Sequence, residues 1–456
     1  MSWRVRAGVS CCFVFATLVL ENAVGQQPMI TLGQGFDGPT QVAGCVPNDP
    51  PDPNIAVGAT VGPTPAYVVT TVNSHIYTYL KSTGALQTTQ SLEGAFGLFG
   101  NAIQPNGSPG SGGANACPVG DPHCIYDHYE NRFVITAITL QGYIWFGVSQ
   151  SSDPTLPWYT YETTQPPFID YPGLGYDREN YYVTERTNLP PNPGALLRIF
   201  KKTDVLNWQA TTLTDVNITS GFFVQPAVSW DTPVAGYFLD AIGTNTLRVY
   251  GWYQLLLRSA DIHLFPGWTV PQNPESCGIE LAAIPSLDNG RIINAVYRND
   301  RLYGAHSVTN TSQNKTQVQW FEIQLNGWPA GGSPQLIASN TFDASHPPVA
   351  SGQSFLPAIA QNGDGKLGIV VSTADVGVPP GVAIAGRNAA GLWNSTLINV
   401  KTGICKDLDP GYRWGDFNGV SVDPDNDTTF WVIGEYWRQQ GLYRLWGNWI
   451  QSFRVN

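Results

Sequence analysis

Apolar, β-branched and aromatic residues in this chain gather in short runs, and Gly, Pro, Asn and Asp separate the runs. Arg132-Phe133-Val134-Ile135-Thr136, Tyr181-Tyr182-Val183-Thr184 and Phe430-Trp431-Val432-Ile433 are examples. Helical spacing is nearly absent. The pattern predicts many short strands joined by turns, an all-β fold.

One segment repeats. Asp52-Pro53-Asn54-Ile55-Ala56-Val57-Gly58, Asp121-Pro122-His123-Cys124-Ile125-Tyr126-Asp127 and Tyr171-Pro172-Gly173-Leu174-Gly175-Tyr176-Asp177 share it. So do Gln225-Pro226-Ala227-Val228-Ser229-Trp230-Asp231 and Leu356-Pro357-Ala358-Ile359-Ala360-Gln361-Asn362. Ala282 to Asp288 and Phe417 to Asp423 are looser copies. A second strand follows each copy, with Arg291-Ile292-Ile293-Asn294 read as the one after Ala282–Asp288. Hairpins returning every 50 to 75 residues or so predict a seven-bladed β-propeller over residues 26–456. Small residues on the first strand suit a crowded centre, and aromatic residues on the second suit the space between blades. Trp449 to Arg454 is expected as an inner strand of the last blade, with Met29 to Leu32 as its outer strand closing the ring. Two β-sandwiches would also give short alternating strands.

Asp121 to Asp127, Asp170 to Asp177, Arg298-Asn299 with Ala305-His306-Ser307, and Arg413-Trp414-Gly415-Asp416 to Asp423 resemble a family of secreted seven-bladed propeller proteins. That resemblance implies fold and secretion, and it implies no activity. The Asp52-Pro53-Asn54 and Asp121-Pro122-His123 strand starts are similar to those of five-bladed propeller glycosidases.

The chain has 456 residues, of which 48 are Gly and 35 Pro, which suits a fold of many turns. Residues 1–25 read as a signal peptide. Arg4 and Arg6 precede an apolar run from Val9 to Leu20 that is too short to cross a bilayer, and Ala23-Val24-Gly25 offers a cleavage site. A secreted, extracellular protein is expected, without membrane insertion. Its formal charge of -11 sets nucleic acid aside as a partner. Cys45, Cys117, Cys124, Cys277 and Cys405 remain after the leader. Disulfides are expected, with Cys117 and Cys124 the nearest pair. Sequons stand at Asn106, Asn217, Asn310, Asn314, Asn394 and Asn426.

The repeat brings certain side chains to the end where the first strands begin. Asp52, Asp121, Asp170 and Asp416 are the candidate catalytic carboxylates. Asp121 and Asp170 are read as the acid and base, with Asp52 or Asp416 orienting them. His123, Tyr171, Gln225, Arg413, Asn54 and Asn418 are candidate substrate contacts. Crowded carboxylates raise one pKa and so make an acid, the arrangement glycoside hydrolysis needs. A polysaccharide lyase would use His123 or Tyr171 as base, and Arg413 against a uronate carboxylate. The same oxygens suit Ca2+, as structural ion or sugar ligand. Asp before Pro also simply caps a strand start.

Three functions stay open. The mouth could bind and cleave a carbohydrate. It could be a non-catalytic binding or adhesion module for an extracellular carbohydrate or surface ligand. Or the molecule could be structural, with a sealed channel. Asp423-Pro424-Asp425-Asn426-Asp427 and Asn362-Gly363-Asp364-Gly365 look like calcium loops but lack the terminal Glu, so they read as turns. Trp252, Trp268, Trp437 and Trp446 are candidate sugar platforms.

Overall fold

Strands form wherever β-branched and aromatic residues alternate, and chain reversals fall at the Gly, Asn and Asp positions between them. The computed structural model describes residues 27–40, 50–110, 119–139, 141–164, 169–187, 194–211, 213–281, 290–311, 314–342, 352–405, 413–440 and 443–456. The expected signal peptide, Cys45, Cys117 and the repeat copy at 282–288 lie outside these residues.

The chain opens with β1 (Ile30–Thr40). Four-stranded antiparallel meanders follow. The first is β2 (Asn54–Val57), β3 (Tyr67–Val72), β4 (His75–Leu80) and β5 (Leu86–Ser91). The second is β6 (Val119–Asp127), β7 (Arg132–Thr139), β8 (Tyr143–Ser149) and β9 (Trp158–Thr164). The third is β10 (Ile169–Tyr176), β11 (Asn180–Thr187), β12 (Gly194–Lys201) and β13 (Thr214–Ile218), with a helical turn α1 (Lys202–Val205) after β12. The next is β14 (Gln225–Ser229), β15 (Gly236–Ile242), β16 (Thr246–Tyr253) and β17 (Leu256–His263). A small hairpin, β18 (Glu275–Ser276) and β19 (Ile279–Glu280), stands apart. Two further meanders are β20 (Ile292–Arg298), β21 (Arg301–Asn310), β22 (Lys315–Gln324), β23 (Gln335–Thr341), and β24 (Gln353–Gln361), β25 (Leu367–Asp375), β26 (Val378–Arg387), β27 (Ile398–Thr402). The last joins the two chain ends, with β28 (Gly419–Val422), β29 (Phe430–Gln440) and β30 (Tyr443–Val455) completed by β1.

Two expectations need correction. Arg291–Asn294 does not begin a second strand, because β20 is itself the first strand of its meander and packs beside β14 and β24. Its Ile292-Ile293 start resembles a second strand, which shifted the frame. The Trp449–Arg454 segment lies in the third strand, between β29 and β1, and β28 takes the inner place.

First strands pack side by side: β2 with β6, β6 with β10, β10 with β14, β14 with β20, β20 with β24, β24 with β28, and β28 with β2. Close approach demands small residues there. A Cβ on Gly175 would lie 2.6 Å from the Ala227 carbonyl oxygen on the neighbouring first strand. Fourth strands face water, as in β5 and β17. Aromatic pairs fill the space between successive meanders. Phe146 stacks on Phe200 at 4.1 Å, Tyr182 meets Phe238 at 5.1 Å, Tyr237 stacks on Tyr297 at 5.1 Å and Trp320 meets Trp393 at 5.3 Å. Each such pair contributes about 0.5–1.5 kcal/mol beyond its burial. Trp268, Trp437 and Trp446 are buried in this packing and offer no platform, whereas Trp252 stays half-buried.

Cys277 and Cys405 form a disulfide, and Cys124 is a buried free thiol. Cys117, the expected partner of Cys124, lies outside the described residues. Cys124 sits on an inner strand with its Sγ 3.7 Å from the Val69 carbonyl oxygen. Among the sequons, Asn394 is buried, and its Oδ1 accepts the Gly386 N–H at 2.7 Å.

Candidate functional site

In four of the five repeat copies that carry it, the residue before proline adopts a left-handed backbone, Gln225 being the exception. Asp52 has φ 47°, Asp121 φ 50°, Tyr171 φ 56° and Leu356 φ 51°. Such a conformation costs a non-glycine residue about 1–3 kcal/mol and needs support from its surroundings. Bulges accompany it in β6, β10 and β24. A bulge re-aims the side chains at a strand start.

Hydrogen bonds tie these starts together. Asn73, in the turn between β3 and β4, donates from Nδ2 to Asp52 Oδ2 at 2.6 Å and to the Pro50 carbonyl at 2.7 Å. Its Oδ1 accepts the Asp121 N–H at 2.8 Å. Asp52 Oδ1 accepts the Asp416 N–H at 2.6 Å. Arg413 Nη2 donates to Asp416 Oδ2, and Glu435 accepts the Gly415 N–H at 2.8 Å. One network thus joins the first, second and last meanders. On the opposite side, Arg186 stands 3.8 Å from Asp170, its cross-strand partner. Arg186 and Arg291 lie over the Phe223 ring at 5.0 and 3.9 Å.

The crowding moves protonation. Burial, then the Asp416 charge, pushes the Asp52 carboxyl up to about 7. Burial holds Asp121 well above the usual carboxylate range, helped by Asp52, Asp416 and Asp170, while Arg413 pulls it back. For Arg413, burial lowers the pKa, but the charges of Asp416, Asp52 and Asp121 outweigh it and leave the group raised.

The other predicted contacts sit deeper. Tyr171 is buried, donates its hydroxyl to the Ile292 carbonyl at 3.3 Å, and is edged by Phe223 and Phe417. His123 is buried against Phe417 with its Nδ1 3.4 Å from Asn54 Nδ2, and burial drops its pKa to about 4. Gln225 is buried as well. Asn54 and Asn418 stitch neighbouring first strands, Asn54 by accepting the Cys124 N–H at 3.3 Å and Asn418 by donating to the Leu356 carbonyl at 2.7 Å. Asn54, His123, Gln225 and Asn418 line a narrow axial cavity of about 60 Å³ below the mouth. Asp52, Asp121, Asp170, Asp416 and Arg413 are the predicted residues that the structure brings together at the mouth itself.

Asn73, Arg186, Arg291 and Glu435 are the functional neighbours that repeat reading missed. The register from Tyr176 opposite Tyr181 alone would set Thr187 against Asp170, and the bulge between Asp170 and Gly173 brings Arg186 there instead.

Among the described residues no three His, Cys, Asp or Glu side chains are grouped to hold a metal. In the 423–427 loop a lysine takes the place a cation would have. Lys81 Nζ lies 2.7 Å from both Asp423 and Asp425. Asp425 N–H bonds Asp423 Oδ1 at 3.0 Å, as turn chemistry requires.

No family model matches this sequence, and no curated protein does. Solved structures do show similarity. Raptor from Chaetomium thermophilum is 8% identical with a TM-score of 0.45; the match covers 92% of this chain, which spans only 29% of that one. AofleA from Arthrobotrys oligospora is 11% identical with a TM-score of 0.36, covering 83% of this chain and 92% of the other. A PL25 ulvan lyase is 12% identical with a TM-score of 0.35, covering 91% and 86%.

Proposed function

We propose that this chain is a secreted seven-bladed β-propeller whose mouth, where the first strands begin, binds a carbohydrate and cleaves it by acid–base chemistry at Asp121 and Asp170. The first strands that pack side by side, with β28 against β2, support a closed ring. The Cys277–Cys405 disulfide supports an oxidising, extracellular setting.

The observation that carries the chemistry is the pair of unlike carboxyls. Asp121 is held well above the usual range by burial and by its acidic neighbours, so it keeps a proton to donate. Asp170 is the more open of the two, stands 3.8 Å from Arg186, and takes the role of base. Asp52 is 1% exposed and has both oxygens bonded, so it orients its neighbours, helps hold the proton on Asp121 and does not touch substrate. Arg413, paired with Asp416 and with its side chain 38% exposed, would meet a uronate carboxylate. His123 and Tyr171 lie too deep to serve as a lyase base, which favours hydrolysis over elimination.

The test is product release from neutral and uronate-containing polysaccharides, read as reducing ends and as unsaturated uronate absorbance, with and without a calcium chelator. Asp121→Asn and Asp170→Asn are expected to lose about 10²–10⁴-fold in rate while staying folded. A non-catalytic binding mouth is the second reading, favoured by the structural use of Asp52. Absence of products across the panel, with bound polysaccharide still detected, would establish that reading instead.

A further inference from the structure

The end of the molecule opposite the mouth carries a larger opening. β12 and β16 both run away from the mouth, and between their far ends lies a cleft of about 840 Å³. That volume is within the roughly 300–1,000 Å³ of small-molecule sites. Strands of this length put the cleft about 25 Å from the mouth carboxylates.

Its walls have a definite chemistry. Trp252, half-buried, forms one side and joins the packing around Tyr182 and Phe238. Tyr182 rises into the floor because Gly236 has no side chain; a Cβ there would lie 2.3 Å from the Tyr182 hydroxyl. The charged residues nearby are balanced or spoken for. Arg178 and Lys201 line the cleft together with Glu130 and Glu179, two charges of each sign. Asp177 accepts the Tyr182 hydroxyl at 2.5 Å and the N–H groups of Glu179 and Asn180 at 2.8 Å. Lys202 lies 2.5 Å from Asp127 among the rings of Tyr129, Tyr176 and Tyr181. What remains toward the opening is neutral and polar, Asn207 and Thr232 among them. The hairpin Gln254-Leu255 is held left-handed at φ 50° and 62°, and it sets Leu255 on the rim, 78% exposed.

An indole wall, an apolar rim and neutral hydrogen-bonding groups without surplus charge match one ligand class. A pyranose ring presents C–H groups on its face and hydroxyls at its edge. The face suits the electron-rich indole, and the edge suits amides and hydroxyls. We propose that this cleft is a second, non-catalytic site for a neutral saccharide, with Trp252 as its platform. It stands whether or not the mouth cleaves anything.

Electrophoresis of the mature chain through gels carrying soluble β-glucan, xylan or galactomannan, beside a polygalacturonate gel, tests it. All chains carry Asp121→Asn so that the polymer is not cut. The parent is expected to be retarded in at least one neutral gel. Trp252→Ala and Asn207→Trp are each expected to weaken that retardation at least tenfold. Asn207 is exposed, so its replacement blocks the cleft without touching the core and carries the test if Trp252→Ala fails to fold. Equal retardation of parent and variants, or none in any neutral gel, overturns the proposal.

Discussion

Glu185 on β11 shows what burial does to a single residue. It is 1% exposed, and neither carboxyl oxygen has a hydrogen-bond partner among the described residues. Burial pushes its pKa up to about 8, with Arg198 pulling the other way. A carboxyl raised in the folded state contributes stability below its unfolded value near 4.5, and that contribution is lost as pH rises through about 8. Glu185→Gln is therefore expected to match wild type at pH 5 and to exceed it at pH 9, on the order of 3 kcal/mol, read as urea midpoints. A variant equally offset at both pH values would refute this. Legibility at this scale divides by where a residue's role is set. Asp52, Asp121, Asp170 and Asp416 could be gathered from sequence because the repeat places them at equivalent strand starts. Asn73 and Arg291 could not, because their roles depend on which turn or start lies beside which neighbour. The depth of His123 and Tyr171 was equally hidden, since proline-linked bulges turn successive side chains outward or inward without a change in residue type.

The pattern of apolar runs between turn residues revealed most strands, because strands buried on both faces, as β7 and β24 are, read as near-continuous apolar runs. It failed where the first strand is itself strongly apolar, as in β20, and so one repeat was framed a strand out. It also gave no hint of the insertion after β17, whose β18–β19 hairpin is fastened to the β25–β26 region. Ser276 Oγ donates to the Val378 carbonyl at 3.0 Å, the Cys277 N–H bonds the Asp375 carbonyl at 3.1 Å, and the disulfide ties Cys277 to Cys405, 128 residues away. A link across so long a loop restricts the unfolded chain by about 4–5 kcal/mol in the loop-entropy picture. The double variant Cys277→Ser, Cys405→Ser is expected to fold and to melt several degrees lower. An unchanged thermal midpoint would show that the hairpin's own contacts suffice.

For the whole molecule, stability rests on meanders that bury little alone and much together. Aromatic residues from one meander complete the core of the next, so loss of any meander would expose two faces. The last meander shares this dependence, since β1 is its fourth strand and lies outside β30. A chain starting after Thr40 would leave the long β30 ladder unpaired on one side. Unpaired ladders recruit other chains. Such a truncation is expected to aggregate on refolding at concentrations where the full mature chain stays monomeric by light scattering; a monomeric truncation would show that β30 needs no cover.

The same pairing has a mechanical side. Ile30 is opposite Val455, Phe36 opposite Ile450 and Thr40 opposite Gly447, so the free ends of β1 and β30 meet at one end of their ladder. Tension applied between those ends acts along the inter-strand hydrogen bonds, which lie perpendicular to antiparallel strands. It loads them one pair at a time and not all at once. The join should therefore peel like a zipper at low force when the molecule is pulled by its ends.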